Sequence, residues 1–321
     1  MPHRLTRRAV LAGVQRAFGA GLFVSMGGQA LAAPTGAVAA TTEIAPGVHV
    51  HVGAHEVFSA RNAGDISNCG FIIADHGVAV IDTGGSQRTG AALLAAIRAI
   101  TDKPITAVIN THMHPDHVLG NIAFEPEGAR IIAHHKMGRG LAQRAERYLA
   151  AARDLMGEAA FAGTEVVLPD QAIASDTTID IGGRRLRLSP LPTAHTDNDL
   201  VITDETTGTV FLGDLVFAGH VPTIDGSIQG WQAALLGLAS QPAPRVVPGH
   251  GPAMMVWPDA ASAVARYLSL ITAEVRAQIK AGGTIDEAMT TAARGEAGAW
   301  LLFEEFHARN VAAAFAELEW E

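Results

Sequence analysis

Between positions 48 and 256 the hydrophobic pattern switches repeatedly between a period of two and a period near 3.6. Val48-His49-Val50-His51-Val52 alternates, and Gly70-Phe71-Ile72-Ile73-Ala74 and Val78-Ala79-Val80-Ile81 are short apolar runs. These predict strands, with Asp75-His76-Gly77 as a tight hairpin connection. Residues 86–101 place Ala92, Leu93, Ala96, Ile97 and Ile100 on one stripe, which predicts a helix that Pro104 ends. Ile105-Thr106-Ala107-Val108-Ile109-Asn110 is the next buried strand, and 137–157 a second helix. A hairpin is expected over 176–191, turning at Gly182-Gly183, then strands at 199–203 and 209–212, a helix near 228–240 and a strand at 245–248. Residues 258–321 read as helical, broken at Gly282-Gly283. Two sheet-plus-helix halves point to an α/β chain built as a four-layer αββα sandwich, although periodicity alone leaves a single doubly wound sheet open.

Composition narrows the function classes. With 321 residues, 48% hydrophobic and 17% charged, the chain can bury a sizeable core. The formal net charge is −9, and basic residues do not cluster beyond position 8, so no nucleic-acid partner is expected. No apolar run of about 20 residues interrupts the body, so no membrane span is expected either. The first 32 residues read differently. Arg7-Arg8, a weakly apolar stretch from Ala9 to Met26, and Ala30-Leu31-Ala32 have the form of a twin-arginine signal cleaved after Ala32, which predicts a periplasmic or otherwise exported protein. Residues 33–43 are read as a tether, 44–256 as the main domain and 257–321 as a helical extension packed on it. The lone cysteine, Cys69, rules out an intrachain disulfide and is read as a small buried residue at the start of a strand.

The chemistry concentrates in Thr111-His112-Met113-His114-Pro115-Asp116-His117, directly after a buried strand. Three histidines and one aspartate within six positions are hard to explain as packing, because an imidazole costs free energy to bury unless its nitrogens are paired. His112 and His114 can converge on one ion, whereas Asp116 and His117, displaced along the loop, suit a second. Three partners follow at strand ends: His195 in Pro192-Thr193-Ala194-His195-Thr196, Asp214 in Phe211-Leu212-Gly213-Asp214, and His250 in Pro248-Gly249-His250-Gly251. Imidazole and carboxylate donors suit Zn²⁺, with Fe and Mn as alternatives.

The run from His112 to His117 matches the HxHxDH signature of the metallo-β-lactamase superfamily, and His195, Gly213-Asp214 and Gly249-His250-Gly251 resemble its later ligand motifs. Ser67-Asn68-Cys69-Gly70-Phe71 and Val80-Ile81-Asp82-Thr83-Gly84 look like its first strands, so the resemblance covers roughly 44–256. It implies the metallo-β-lactamase sandwich and two Zn²⁺ per chain. His112, His114 and His195 would bind the first, Asp116, His117 and His250 the second, with Asp214 between them. Asp82 would hold a ligand histidine from outside the site. Asp116 and Asp214 would take catalytic roles, orienting a metal-activated water and bridging the ions.

The substrate class is less defined. An aspartate at position 214, where one lactamase subgroup has cysteine, resembles thioesterases, lactonases and phosphodiesterases of the fold. The chain as a whole resembles exported metallohydrolases associated with quinoprotein or sulfur-oxidation systems, the SoxH-like group. The expectation is a hydrolase acting on an ester, thioester, lactone or lactam-like bond of a small molecule. Alternatives are a dioxygenase using one Fe(II) on His112, His195 and Asp214, or a noncatalytic metal-binding accessory protein. Of the other histidines, His49 and His51 read as a solvent-exposed edge-strand pair, and His134 and His135 are left outside the site. His220 and Trp231 are pocket candidates by position, and Met137, Leu141, Tyr148, Leu155 and Met156 are read as core or lid helix.

Overall fold

The computed structural model describes residues 38–321; the expected export signal at 1–32 lies outside the described residues. Two sheets organise the chain. The first runs, in spatial order, β1 (Thr41–Ala45), β2 (Val48–His51), β3 (Cys69–Ile73), β4 (Val78–Ile81), β5 (Ile105–Ile109), β6 (Arg130–His134) and β7 (Gln171–Ile173). Neighbours from β1 to β4 are antiparallel and those from β4 to β7 parallel. The second sheet has the order β12 (Arg245–His250), β11 (Thr209–Phe217), β10 (Leu200–Asp204), β9 (Arg185–Pro190) and β8 (Thr177–Asp180), parallel only between β11 and β12.

Alternation along the strands sorts side chains into layers. Ala79 and Ile81 of β4 and Ala107 and Ile109 of β5 meet Leu186, Leu188, Leu200 and Ile202 from the other sheet. Val78 and Val80 point the other way, onto Leu93 and Ile97 of helix α1 (Gln87–Ile100). Each such side chain contributes about 1.5–3 kcal/mol on burial. Ser86 starts α1 with a reciprocal capping box through Thr89. The outer face of the second sheet is covered by α5 (Ile228–Ala239), α6 (Ser262–Lys280) and α8 (Phe303–Leu318), through residues such as Trp231, Tyr267, Ile271 and Val311. This gives helix, sheet, sheet, helix: the αββα sandwich. The remaining helices are α2 (Pro115–Val118), α3 (Met137–Met156), α4 (Glu158–Phe161) and α7 (Ile285–Thr291).

Several elements differ from the pattern-based expectation. β1 begins at Thr41, within the stretch read as a tether, and pairs Thr42 with Val50. β2 is therefore not an edge strand: His49 is buried and stacked on Phe71, and His51 bonds Asp65 at 2.7 Å. Thr41 and Thr42 carry too little hydrophobic signal to reveal that strand. β11 does not stop at Leu212 but bulges at Gly213, whose φ is +51°, and continues to Phe217. β7 and the 3-10 turn Asn121–Glu127 were too short to leave a period. Cys69 opens β3, buried and free, and burial pushes its thiol pKa well up. Among the described residues no helix is long and apolar enough to cross a membrane.

Candidate metal centre

The turn after β5, the end of β12, the bulge in β11 and the connection from β9 to β10 meet at one end of the sandwich. There His112, His114, His195 and Asp214 bring one ligand atom each within 4.8 Å of one another, and Asp116, His117 and His250 do the same beside them. Asp214 faces both groups. Its Oδ2 lies 3.6 Å from His112 Nε2 and 3.4 Å from His195 Nε2, while Oδ1 lies 3.1 Å from His117 Nε2 and 3.4 Å from His250 Nε2. His195 Nε2 and His114 Nδ1 stand 3.0 Å apart, and Asp116 Oδ2 stands 3.3 Å from His250 Nε2. Donors at about 2.1 Å from a tetrahedral ion are separated by about 3.4 Å, and the pairs above lie between 3.0 and 3.6 Å.

Two glycines make this approach possible. A Cβ at Gly249 would sit 1.9 Å from Asp214 Oδ1, and one at Gly213 would sit 2.6 Å from Thr111 Oγ1. Side chains at these positions would push the carboxylate or the loop out of place.

Each histidine is anchored on the side away from the centre. His117 Nδ1 is 2.8 Å from Asp82 Oδ2, and His112 Nδ1 is 3.0 Å from Thr111 Oγ1. That hydroxyl donates to Asp82 Oδ2 at 2.7 Å, and the Thr111 amide to Oδ1 at 2.8 Å. His195 Nδ1 donates to the Thr223 carbonyl and His250 Nδ1 to that of Ile66, both at 2.8 Å. His114 is reversed: its Nε2 donates to Asp225 Oδ2 at 3.1 Å, leaving Nδ1 facing inward. Each outward bond selects the tautomer that presents a lone pair to the centre. Asp82 holds these donors from a φ of +55°, a strained conformation for a residue with a side chain.

The donor set fits a bound cation. His112 Nε2, His117 Nε2 and Asp214 Oδ1 are buried and make no hydrogen bond, an arrangement that costs free energy unless something else satisfies the atoms. Burial drives the His195 pKa down to about 3, leaving a neutral ligand. Burial opposes charge on His250 too, but Asp214 and Asp116 outweigh it and raise its pKa to about 9. Against the same opposition from burial, His117 and His250 hold Asp116 down to about 2, and His250, His117 and His112 hold Asp214 well below the carboxylate range. The carboxylates demand positive charge, and in the metal-free protein His117 and His250 meet that demand with protons.

All seven sequence-predicted ligands thus converge, and Asp82 stands behind two of them. His220 lines the adjoining cleft, with its ring 4.4 Å from that of His250. Trp231 does not: it is buried behind His195, 5.0 Å from its ring, and donates to the Leu215 carbonyl. His134 is buried away from the site beside His135. In α3, Met137, Leu141 and Met156 are core, while Tyr148 and the exposed Leu155 face the cleft. Asp225 was missed, since nothing in Thr223-Ile224-Asp225-Gly226 marks a histidine partner. Also missed was the contribution of the C-terminal helix: Phe306 and Arg309 of α8 help wall the cleft of about 1110 Å³ outside the ligands.

A family profile of the metallo-beta-lactamase superfamily matches residues 62–250, and the chain belongs to that superfamily. Among curated proteins, it is 46% identical over 56 residues to a linear primary-alkylsulfatase of Pseudomonas sp. (strain ATCC 19151), covering 17% of this chain and 11% of that one. It is 39% identical over 62 residues to mouse metallo-beta-lactamase domain-containing protein 1, covering 19% and 24%. The matches thus span a quarter or less of these relatives. Among solved structures, a metallo-beta-lactamase from Pontibacter korlensis superposes with a TM-score of 0.57 at 23% identity, over 72% of this chain and 98% of that one. The FIM-1 enzyme of Pseudomonas aeruginosa, solved in a mono-zinc form, gives 0.56 at 20% identity, over 74% and 97%. At such identities the likeness concerns the fold.

Proposed function

We propose that this chain is a hydrolase that works with two divalent ions, Zn²⁺ before Fe or Mn, on an ester, thioester, lactone or lactam-like bond of a small molecule. One observation carries the proposal: two trios of inward-facing donors with the Asp214 carboxylate between them, one oxygen toward each. His112, His114 and His195 would hold one ion, Asp116, His117 and His250 the other, and Asp214 both. When bound, such ions supply a water of lowered pKa as nucleophile and polarise the oxygen of the bond under attack.

The protein's own groups do the rest. Asp116 lines the cleft, is ionised, and lies beside His250, where it can orient the attacking water and accept its proton. Phe58, Leu155 and Phe306 give the cleft an apolar wall, and Arg144, Arg147 and Arg309 stand along it. The apolar wall favours a substrate with an apolar body. The second trio is as complete as the first, which favours two ions over the single Fe(II) of a dioxygenase. Export by the N-terminal signal, and a place among the SoxH-like enzymes, belong to the same proposal.

Metal analysis of the purified full chain, paired with a panel of ester, thioester, lactone and lactam substrates, tests it. Two divalent ions per chain and turnover lost on chelation are expected. Full activity in protein stripped of metal would overturn the proposal, as would a single iron with oxygen uptake. A full metal complement with no turnover on the panel would favour the accessory role.

A further inference from the structure

We propose that the C-terminal helix α8 is a working part of the metal centre. Its Asn310 and Glu317 act as positioning residues for His195 and His114 by gripping the two ends of the loop 221–228. The inference rests on the metal-binding role proposed above, and the clamps lie beyond residue 250, where the family match ends.

The loop carries the outward anchors of both histidines. Thr223 offers its carbonyl to His195 Nδ1, the Asp225 amide donates to the His195 carbonyl at 3.1 Å, and the Asp225 carboxylate accepts from His114. None of these anchors belongs to a strand or helix, so the loop needs holding from elsewhere. Asn310, fully buried, takes its first half. Its Oδ1 accepts from the Ile224 amide at 2.9 Å, and its Nδ2 donates to the Pro222 carbonyl at 2.6 Å and to Tyr267 Oη at 3.0 Å. The amide orientation is itself enforced. Tyr267 Oη accepts from Asn310 and passes its own proton toward His307 Nδ1 at 3.0 Å, and His307 Nε2 donates to the Ala292 carbonyl at 2.8 Å. Each donor in this chain has one acceptor, so the end of Asn310 that faces Ile224 is set from within the helical layer.

Glu317 takes the second half. It accepts from Ser227 Oγ at 2.7 Å, the Ile228 amide at 2.8 Å and the Gln229 amide at 3.3 Å. These are otherwise unsatisfied amides of the first turn of α5, and a carboxylate is favoured at that end of a helix. Ser227 caps Gly230 in turn, and its own amide donates to the Ala194 carbonyl, next to His195. Thr223 is bracketed by the Asn310 contacts at Pro222 and Ile224, and Asp225 lies between the two clamps. A loss of outer anchoring of this kind typically costs about 10- to 100-fold in metal affinity.

The test compares full-length wild type with Asn310→Leu and Glu317→Gln. Affinities of both ions are measured by chelator competition, and imidazole N–H resonances are recorded on the metal-free protein. The expected result is weakening of one ion only, by up to about tenfold because the clamps act one bond beyond the direct partners. The His195 and His114 N–H signals should broaden or shift, while those of His117 and His250 stay in place. Val275→Ala, a cavity in the same helical layer, should lower stability without that selectivity. If Asn310→Leu does not fold, Glu317→Gln carries the test, with smaller changes in the same two signals. Equal weakening of both ions, or loss of stability with all four resonances unmoved, would overturn the inference. A wild-type chain that takes up no divalent ion would instead refute the metal-centre reading, and this one with it.

Discussion

His112, His114, Asp116 and His117 reach the centre from one loop and the first turn of α2, whereas His195, Asp214 and His250 arrive on three separate segments of the second sheet: the β9–β10 connection, the bulge in β11 and the end of β12. The first group is oriented largely by side chains: Asp82 and Thr111 fix His112 and His117, and Asp225 fixes His114. In the second group the histidines are oriented by main-chain carbonyls, of Thr223 and Ile66. A carbonyl cannot be removed by substitution, and it points correctly only while its loop is held. The near group therefore fails residue by residue. The far group fails through whatever supports its loops.

Asp214 joins the two groups, and its loss should have the largest effect. Asp214→Asn keeps the volume but removes the charge and one acceptor oxygen, so at least one ion should be lost and kcat/KM should fall by about a thousandfold or more. Metal content measured beside steady-state kinetics checks this. Retention of both ions and of the rate would show that the two groups do not share the carboxylate.

The next effect separates the outer anchors within the near group. In Asp82→Asn the amide nitrogen replaces an oxygen that accepts from Thr111 Oγ1 and faces His117 Nδ1. Asparagine tolerates the left-handed backbone at this position, so the change acts mainly through hydrogen bonding. With no acceptor at Nδ1, His117 would favour the tautomer protonated at Nε2, which cannot bind an ion. The expected loss is about 10- to 100-fold in affinity for the ion on His117, with a smaller loss at the ion on His112, which Asp82 reaches only through Thr111. Asp225→Asn should be milder, because Asp225 is half-buried and also shared with Arg144 at 3.7 Å, so solvent screens its interactions. Titration of both variants with a competing chelator should show the ion on His117 weakened most in Asp82→Asn and the ion on His114 weakened most in Asp225→Asn. The same ion weakened most in both would break the division.

The near group was legible in the sequence because a local turn puts its four ligands within six positions. Asp214 and His250 were legible through the glycines at 213, 249 and 251, which mark places where backbone or carboxylate must come close, and His195 through its position after a predicted strand. Alternation marked the strands but left the layer order open between a sandwich and a single doubly wound sheet, and the resemblance carried by the ligand motifs decided it. What stayed hidden depends on pairing at long range. Asp225 meets His114 across 111 positions, and Asn310 meets Ile224 across 86, with no period or motif linking them. β1 was invisible for a related reason: its threonines acquire strand character only from pairing with β2.

The smallest expected effect is one of pH, and it again divides the ligands. Burial leaves His195 neutral at any ordinary pH, so an ion meeting it displaces no proton. His250 in the metal-free protein has its pKa raised from 6.5 to about 9 by Asp214 and Asp116 against burial. An ion there must displace a proton at pH 7, so affinity for it should rise with pH, by at most about tenfold per unit for one proton, and level off above about 9. Stability runs the opposite way. A folded pKa above the unfolded one gives stabilisation that is complete below about 6.5 and lost as pH rises through about 9. The melting temperature of metal-free protein should therefore lose this contribution between those values, while the metal-loaded protein, with His250 already deprotonated, should not. Parallel melting curves at pH 6.5 and 9, with and without metal, decide it. A loss of the same size in both forms would show that the imidazole proton and the cation do not compete for one place.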